Sequence, residues 1–397
     1  GEVLQQIVDD FNASQDEIEI KAEYQGTYDD TITKLKAAMQ SDSGLPDVCQ
    51  MYDVGTKFMY DSGAVIPVED KFESTGYDKS SVMEVISSYY TVDGKQYAMP
   101  FNVSTPMLYY NKDVFEAAGL DPETPPTTYD EVLEDAKKIV ESGAAPVGYS
   151  QAIYGWFFEQ QLAGLGVTYG NNDNGRKEAV TAVDFDSNGG GLKVFDMWKK
   201  LYDSGYFEDY GTTTADTQTA FFSGQVGMII ESTAILKNAV DSSPFEVGTG
   251  YLPRIEQNDE GGVIIGGGSL WLTDTGNEAN EDAAWKFIEY ITTPDVQAKW
   301  SMGTGYFAIN EKAYETEDMK AYLKENPNFE TAINQLKDSP VNCNTAGVLS
   351  GVQTEARLTF NEIMPQVYDG KLTTQDAVDQ LAVSVNKAIE NYNESIK

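Results

Sequence analysis

The most glycine-dense segment of the chain is Gly261–Trp271, which reads Gly-Gly-Val-Ile-Ile-Gly-Gly-Gly-Ser-Leu-Trp. A loop that cradles a phosphate needs glycines that open directly into a helix, often with a lysine after them. Here the glycines lead into Leu-Trp-Leu-Thr, which is typical of a strand, and no lysine follows. We therefore interpret the segment either as a strand that admits a neighbouring backbone or as bare backbone whose N–H groups bind a ligand.

Arginine is scarce, because only three of the 27 basic residues are arginines. One of them, Arg357, lies in a predicted helix. A guanidinium is a planar fork that fits a carboxylate or phosphate at two points, so Arg357 is a candidate anion ligand. The alternative is a surface salt bridge with Glu355 or Glu362. The acidic surface does not forbid an anionic ligand, because exposed charges are screened over about 8 Å.

Histidine is absent, and the only cysteines are Cys49 and Cys343. These absences exclude the Ser-His-Asp triad, the Cys-His dyad, His-ligated zinc and four-cysteine metal sites. The two thiols are expected to be separate residues rather than a disulfide. Asn171–Gly175 resembles a calcium loop, but counting from Gly175 leaves both loop ends without a carboxylate, so a turn is predicted. We expect no catalytic residue, no metal and no cofactor.

Size and charge narrow the function classes further. A chain of 397 residues with 41% hydrophobic residues suggests two or three globular domains. Its 64 acidic residues against 27 basic ones give a net charge of −37. That charge repels phosphate backbones and anionic lipid, so neither nucleic acid nor a membrane is an expected partner. No apolar run reaches the roughly 18 residues of a membrane-spanning helix.

The order of predicted elements indicates an α/β fold. Helical spacing over Val3–Phe11 is followed by strict alternation over Glu17–Tyr24, which predicts a strand. A second helix is predicted from about Asp29, and the apolar run Val48–Tyr52 predicts a buried strand. This order favours a domain whose strands are largely parallel.

Local signals predict further elements. The Asp-Gly pair within Tyr90–Tyr97 predicts a hairpin, and Thr128 with Glu131 forms a capping box at the start of a helix. Apolar spacing predicts a C-terminal helix from about Thr374. Three extended or glycine-rich stretches are candidate domain crossings, which predicts two domains joined by repeated passes of the chain: 100–110, 261–268 and 303–309.

Several long motifs occur in the order expected of one known family: Pro100–Asp113, Phe115–Pro122, Pro125–Thr128, Ala220–Met228, Ala283–Ile288, Thr293–Trp300 and Thr304–Tyr306. Together they resemble the extracellular solute-binding proteins of bacterial ABC importers, over nearly the whole chain. The resemblance implies a two-lobed periplasmic-binding-protein fold, each lobe a mostly parallel sheet flanked by helices, joined by a multi-segment hinge. It implies an N-terminal lobe of residues 1–105 and 265–308, and a C-terminal lobe of residues 106–264 and 309–397.

Within that family, the likeness is greatest to the members that bind glycerol 3-phosphate. It implies a substrate-binding component of an ABC importer that captures glycerol 3-phosphate or a glycerophosphodiester in the cleft between the lobes. The implied ligand-binding residues are Tyr28, Asp53, Ser104, Ser232, Gly267, Tyr306 and Arg357. Further candidates are Tyr129, Ile153 and Trp156. The resemblance also implies permease subunits as partners, a monomer, and an extracytoplasmic location, either periplasmic or lipid-anchored at the outer face of the membrane.

Two departures from the family pattern bear on the ligand. Ile153 stands where relatives have a tryptophan, although the local alignment can slide to Tyr154 or Trp156, and Asp53 replaces a glutamate. Both changes enlarge the pocket away from the phosphate, so glycerophosphocholine is an expected ligand, with aromatic rings available to its quaternary ammonium. The alternatives are a mono- or oligosaccharide receptor and, from another class, a carbohydrate-active hydrolase that uses two carboxylates.

Overall fold

The computed structural model describes residues 1–40 and 44–397. The helices that begin in the first half of the chain are α1 Glu2–Ser14, α2 Tyr28–Met39, α3 Thr56–Asp61, α4 Val68–Thr75, α5 Glu84–Ser87, α6 Lys112–Ala117, α7 Tyr129–Ser142, α8 Gly155–Gly164 and α9 Gly190–Asp203. The later helices are α10 Thr214–Phe222, α11 Leu236–Ser242, α12 Glu278–Ile291, α13 Pro294–Thr304, α14 Glu317–Glu325, α15 Asn328–Asp338, α16 Gln353–Tyr368 and α17 Thr374–Ser395. The strands are β1 Val48–Tyr52, β2 Val65–Ile66, β3 Thr91–Val92, β4 Lys95–Gln96, β5 Met99–Ser104, β6 Pro106–Asn111, β7 Val147–Ser150, β8 Val226–Ser232, β9 Val247–Gly250 and β10 Gly266–Thr273.

The chain divides into two compact units. Unit 1 consists of Gly1–Ser104 and Ile265–Glu325, and unit 2 of Thr105–Ile264 and Asn326–Lys397. The chain therefore passes from one unit to the other three times. The family resemblance implies that residues 309–325 belong to the C-terminal lobe, whereas the structure groups this segment with unit 1. The reason is a small cluster in which Ala308, Ala313 and Met319 pack together with Ala298 of α13.

In unit 1, strand β10 organises the sheet. It pairs with β1, β2 and β5, and each of these pairs is antiparallel. The ladder between β10 and β5 shifts register between Gly268 and Ser269. A separate hairpin joins β3 to β4, and its turn residues Asp93 and Gly94 both have positive φ, as the Asp-Gly signal predicts.

In unit 2, four strands form a sheet in the order β7-β8-β6-β9. Strands β7 and β8 run parallel, while β6 is antiparallel to both of its neighbours. The predicted capping box opens α7, where the Thr128 side chain accepts from the Glu131 backbone and Glu131 reaches back. The predicted C-terminal helix is α17.

Two expectations about strands are wrong. Among the strand pairs in the described part of the chain, only β7 with β8 is parallel, so the sheets are not largely parallel. In unit 1, the reason is that β10 enters from unit 2 in the direction opposite to β1 and β5. The segment Glu17–Tyr24 forms no ladder within the described residues, and its last alternating residue, Tyr24, is 91% exposed.

The predicted turn at Asn171–Gly175 is confirmed in an unusual form. Asn172, Asp173 and Asn174 all have left-handed backbone angles, a region that asparagine and aspartate tolerate better than most residues. The Asn174 side chain accepts from the backbone N–H groups of Tyr169 and Gly170 and donates to a carbonyl at Cys343. These contacts fix the turn against the segment before α16.

The core of unit 2 is built mainly from aromatic rings and from the inner faces of the last two helices. The ring of Phe360 lies within 5.4 Å, centroid to centroid, of the rings of Phe158, Phe195 and Trp198. Phe158 and Phe195 lie 5.7 Å from each other. This cluster fixes α8 and α9 against α16. Burial of large apolar surface of this kind is the main favourable term in the folding free energy.

Two leucines of the C-terminal helices give a matched test of this packing. Leu381 of α17 is fully buried, whereas Leu358 of α16 is 58% exposed. Leu381→Ala should lower the free energy of unfolding by about 2–5 kcal/mol, because it removes buried methyl groups and leaves a cavity. Leu358→Ala should change it by less than about 0.5 kcal/mol. Denaturant unfolding followed by circular dichroism measures both, and equal effects would contradict the assigned core.

Candidate functional site

Three of the predicted ligand residues of unit 1 lie at one end of its sheet, because the strand register places them there. Strand β1 ends at Tyr52, which pairs with Gly268 near the start of β10, and Asp53 follows directly. Gly266, at the start of β10, pairs with Ser104 at the end of β5. The predicted residues Asp53, Ser104 and Gly267 therefore share one edge of this sheet.

Tyr28 joins the same edge through stacking and hydrogen bonding. Its ring stacks on Tyr52 with centroids 4.9 Å apart and planes 8° from parallel. Its hydroxyl accepts from Asn102 Nδ2 at 2.9 Å, and Asn102 Oδ1 in turn accepts from Gln50 Nε2 at 2.7 Å. A Cβ on Gly268 would lie 2.7 Å from Asn102 Oδ1, so glycine is what leaves room for this chain of amides. Asn102 thus fixes the hydroxyl of Tyr28.

Gly267 has backbone geometry that only glycine adopts without strain. Its φ is +95°, and an added Cβ would collide with the carbonyl oxygen of Asn102. The close approach of a neighbouring backbone, one of the two interpretations of this glycine segment, is therefore confirmed. A ligand-binding role for the Gly267 amide stays a prediction.

Tyr306 reaches unit 1's sheet edge through its neighbour in sequence. The Phe307 N–H donates to the carbonyl of Val103 at 3.0 Å, which holds this segment beside β5. The half-buried ring of Tyr306 stacks on Trp300 at 5.9 Å with planes 5° apart, and Trp300 stacks on Phe101 at 4.3 Å. Five predicted residues are thus gathered at one edge, together with three stacked pairs of aromatic rings.

The carboxylate of this edge is Asp53, which is only 5% exposed. It begins a short turn in which Thr56 Oγ1 donates to its carbonyl at 2.7 Å. Burial raises the pKa of Tyr90, and the nearby charge of Asp53 raises it further. Tyr90 therefore keeps its proton next to Asp53 at every physiological pH.

In unit 2, Ser232 lies at the end of β8, opposite Pro106 at the start of β6. Its carbonyl accepts from the Tyr109 hydroxyl at 2.7 Å, and its N–H donates to Glu231 Oε1 at 2.7 Å. Its own hydroxyl oxygen accepts from the Ala234 N–H at 3.2 Å. With its lone pair used in this way, the Ser232 hydroxyl is left to donate its proton.

Arg357 is buried, with 8% of its surface exposed, and its guanidinium is held by Glu159 of α8. The pair is bidentate: Nε lies 2.8 Å from Oε1, and a terminal nitrogen lies 2.7 Å from Oε2. Gln353 Nε2 also donates to Glu159 at 2.9 Å. The sequence alternative of a surface salt bridge with Glu355 or Glu362 is thus replaced by a buried pair that ties α16 to α8.

All three further candidates are core residues of unit 2. Ile153 is 1% exposed and its N–H donates to the carbonyl of Gly211. Tyr129 is 2% exposed, its hydroxyl accepts from Gln161 Nε2 at 2.8 Å, and burial raises its pKa. Trp156 is also buried, but its indole N–H has no hydrogen-bond partner among the described residues. A donor of this kind remains a candidate for a ligand.

Glu231, on β8 beside Ser232, was not singled out by the sequence analysis. It is 4% exposed, and it accepts from Gln218 Nε2 at 2.9 Å in addition to the Ser232 N–H. Burial raises the pKa of Glu231 to about 7, although these two hydrogen bonds lower it. A carboxylate that titrates near neutrality beside a predicted ligand residue is a marker of a functional site.

The residues that sequence reasoning missed left weak local signals. Glu159 is the only acid in α8, whose other residues are apolar or amide-bearing, and Glu231 ends the apolar run Val226–Ile230. A charged residue inside a buried segment has to find a partner or shift its pKa. Their positions indicated burial, but their partners come from distant parts of the chain.

Glu231→Gln gives a pH-dependent test of this burial. Between the ordinary pKa of 4.5 and the folded value of about 7, the folded protein holds a proton that the unfolded chain has lost. Glu231 therefore lowers the free energy of unfolding as pH rises through this window, and the loss is complete above it. Relative to the parent, the variant should gain up to roughly 3 kcal/mol between pH 4.5 and pH 8.

Denaturant unfolding across that pH range measures this gain. Glu178→Gln, at an exposed glutamate of the same unit, serves as the control and should follow the parent. If the Glu231 variant also follows the parent at every pH, the carboxylate is not the buried, elevated group described above.

Neither Cys49 nor Cys343 is in a disulfide. Within residues 1–40 and 44–397, no group of three or more acidic or cysteine side chains is placed to hold a metal ion. No helix in these ranges is both long enough and apolar enough to cross a membrane. Unit 1 offers hydroxyls, amides and aromatic rings around Asp53 at one edge of its sheet. Unit 2 offers the Ser232 hydroxyl at the end of β8 and the buried Arg357–Glu159 pair between α16 and α8.

Solved structures match this architecture closely. UgpB from Mycobacterium tuberculosis in complex with glycerophosphocholine superposes with a TM-score of 0.83 and 20% identity, covering 99% of this chain and 96% of that one. The cyclic alpha-maltosyl-1,6-maltose binding protein from Arthrobacter globiformis superposes with a TM-score of 0.81 and 26% identity, covering 98% and 96%. These matches confirm the two-domain α/β periplasmic-binding fold.

Sequence comparison identifies the family. The chain is 30% identical over 404 aligned positions to the sn-glycerol-3-phosphate-binding periplasmic protein UgpB of Escherichia coli K12, covering all of this chain and 91% of that protein. A model of the bacterial extracellular solute-binding proteins matches residues 6–331. The chain therefore belongs to the bacterial extracellular solute-binding protein family.

Proposed function

We propose that this chain captures glycerol 3-phosphate or a glycerophosphodiester such as glycerophosphocholine and delivers it to the permease subunits of an ABC importer. The observation that carries the proposal is 30% identity, over the whole chain, to a protein named for binding sn-glycerol 3-phosphate. Of the seven residues implied by the family resemblance, five lie at the sheet edge of unit 1, Ser232 lies at the end of β8 in unit 2, and Arg357 lies in helix α16.

The chemistry of unit 1 suits the polar, uncharged part of such a ligand. Tyr28 and Tyr306 supply hydroxyls and aromatic faces, and Gly267 supplies a backbone amide. Asp53 provides a carboxylate for glycerol hydroxyls or for a quaternary ammonium, which aromatic rings also attract. Tyr28 and Tyr306 each stack on a neighbouring ring, Tyr52 and Trp300, which fixes the orientation of both rings.

The chemistry of unit 2 suits the phosphate. Ser232 has a hydroxyl proton to donate, and Arg357 is the cation. Its fork is already engaged by Glu159, so in this proposal the ligand competes with Glu159 for the guanidinium rather than meeting a vacant one. The buried position of the pair raises the strength of any charge interaction there.

The proposal includes no chemical step. A receptor with no histidine and no nucleophile motif binds and releases its ligand unchanged. We further propose that the chain acts as a monomer, on the outer side of the cytoplasmic membrane, either periplasmic or lipid-anchored. Its partners in this proposal are the small-molecule ligand and the permease subunits.

Thermal unfolding with a ligand panel tests the proposal. Glycerol 3-phosphate, glycerophosphocholine, maltose and inorganic phosphate would each be added in excess. A ligand at about 100 times its dissociation constant adds roughly 2.7 kcal/mol to the free energy of unfolding. The two glycerol phosphates should raise the unfolding midpoint, whereas stabilisation by maltose alone would contradict the proposal.

A mono- or oligosaccharide receptor is the second candidate, and one observation favours it. Glu159 neutralises Arg357 through a bidentate pair, so the charge that would attract a phosphate is compensated within unit 2. Stacked aromatic rings such as Trp300 with Tyr306 are also suited to the apolar faces of sugars. Under this candidate, the same panel would show stabilisation by maltose and none by the glycerol phosphates.

Paired substitution at the buried ion pair tests the role of Arg357. Arg357→Gln alone would leave Glu159 as a buried, unpaired charge and should destabilise the fold by about 3–5 kcal/mol. The double variant Arg357→Gln with Glu159→Gln removes both charges, and it should lose at least tenfold in affinity for glycerol 3-phosphate, because the cationic partner of the phosphate is gone.

Calorimetric titration measures this affinity. Arg254→Gln, at an exposed arginine of the same unit, is the matched control and should bind as the parent does. If the double variant also binds glycerol 3-phosphate as tightly as the parent, Arg357 serves only to join α16 to α8.

The absence of a chemical step is tested by NMR. Glycerophosphocholine and a panel of glycosides would be incubated with stoichiometric protein, and all of them should remain intact over days. Sustained turnover of any of them by the pure protein would contradict a receptor role and would favour a hydrolase that uses two of its carboxylates.

A further inference from the structure

Glu231 is a buried carboxylate without a compensating cation. It lies on β8 in the sheet of unit 2, and among the described residues no lysine or arginine forms an ion pair with it. Its oxygens are satisfied by neutral donors only, the Gln218 amide and the Ser232 N–H. An uncompensated charge in such a place is costly, so the group is poised between its charged and neutral forms.

The elements around Glu231 add no other charge that could set its protonation. Strand β6 faces it with Met107 and brings Tyr109 close, and helix α10 faces it with the neutral Gln218. Burial raises the pKa of Tyr109 well above its ordinary value, and the charge of Glu231 adds to this effect, so Tyr109 stays protonated. Strand β7 pairs with β8 only up to Ile229. Glu231 is thus the one group here that titrates near neutral pH.

Glu231 and a bound anion would both accept a hydrogen bond from Ser232, one from its backbone N–H and the other from its hydroxyl. The Ser232 N–H donates to the carboxylate, while the Ser232 hydroxyl donates to no acceptor among the described residues and is the group predicted to meet the ligand. A phosphate at that hydroxyl would lie near the carboxylate, because the Ser232 N–H is only 2.7 Å from Glu231 Oε1. The two negative charges would repel each other, and because a phosphodiester keeps its charge, the repulsion favours the neutral form of Glu231.

We infer that capture of an anionic ligand at Ser232 is coupled to uptake of one proton by Glu231, so that the chain binds a phosphodiester more tightly when Glu231 is neutral. This inference rests on the proposed function, since it takes Ser232 as a contact of the phosphate. The proton comes from solvent and adds to a carboxylate oxygen, which relaxes its hold on the Ser232 N–H. The coupling makes Glu231 a positioning residue for Ser232 and a pH sensor for ligand affinity.

Glycerophosphocholine is the probe that isolates this coupling. Its phosphodiester keeps one negative charge from pH 6 to pH 8.5, whereas a phosphate monoester itself titrates near pH 6. The dissociation constant of the parent for glycerophosphocholine should rise about tenfold from pH 6 to pH 8.5, the change expected if the bound anion raises the pKa of Glu231 by about one unit. Glu231→Gln should bind with nearly constant affinity across this range, and Glu178→Gln should follow the parent.

Calorimetry in buffers of different ionisation enthalpy gives a second readout, which counts the protons taken up on binding. At pH 7 to 7.5, the parent should take up a fraction of a proton for each ligand bound, and Glu231→Gln should take up none. A parent that binds glycerophosphocholine with constant affinity and no proton uptake overturns the inference and leaves the proposed function intact. A pH dependence that persists in Glu231→Gln overturns it as well, and the absence of binding at every pH overturns both.

Discussion

The buried pair between Arg357 and Glu159 is the interaction on which the organisation of unit 2 depends. Both side chains are almost fully enclosed, so each ion has lost its hydration and relies on the other. The pair forms because α8 and α16 approach closely at Gly155, where a Cβ would lie 2.5 Å from the Cα of Arg357. The Gly155 N–H donates to Asn361 at the same crossing. A glycine, a bidentate ion pair and a hydrogen bond to an asparagine side chain thus hold α8 against α16.

In unit 1, neutral groups hold the predicted ligand residues in place. Its sheet edge is shaped by glycines on β10, whose missing side chains let Asn102 reach Tyr28 across the ladder. Because Asn102 is itself fixed by Gln50, the Tyr28 hydroxyl is held by a rigid strand rather than by a loop. The two units therefore differ in kind: one presents fixed neutral donors and aromatic faces around Asp53, and the other presents a charge held in balance by its own carboxylate.

Local sequence signals anticipated local structure well. The Asp-Gly hairpin, the Thr128–Glu131 capping box and the asparagine turn depend on residues a few positions apart, so their chemistry is visible in the sequence. The glycines before Trp271 also indicated a close approach of two backbones, because only glycine lacks the Cβ atom that would collide there. Family resemblance then named five residues that the structure gathers at one edge of unit 1, three of them through the strand register.

Non-local pairing was the part that the sequence left open. The direction of a strand in its sheet depends on where the chain re-enters the unit, which no local pattern shows. The alternation at Glu17–Tyr24 is compatible with a strand, but it does not provide a neighbouring strand with which to pair. The same limit applies to Arg357, whose partner Glu159 lies 198 positions earlier and could not be chosen among 64 acids by spacing. The near-neutral pKa of Glu231 depends on burial by β6 and α10, which only the folded chain supplies.

Capture of a glycerol phosphate is the central claim, and calorimetric titration of the purified chain with glycerophosphocholine at pH 6 tests it most directly. The account predicts saturable binding of one ligand per chain, at micromolar concentration or below, and competition by glycerol 3-phosphate. No detectable heat with either ligand, combined with saturable binding of maltose, would contradict it and identify the chain as a sugar receptor.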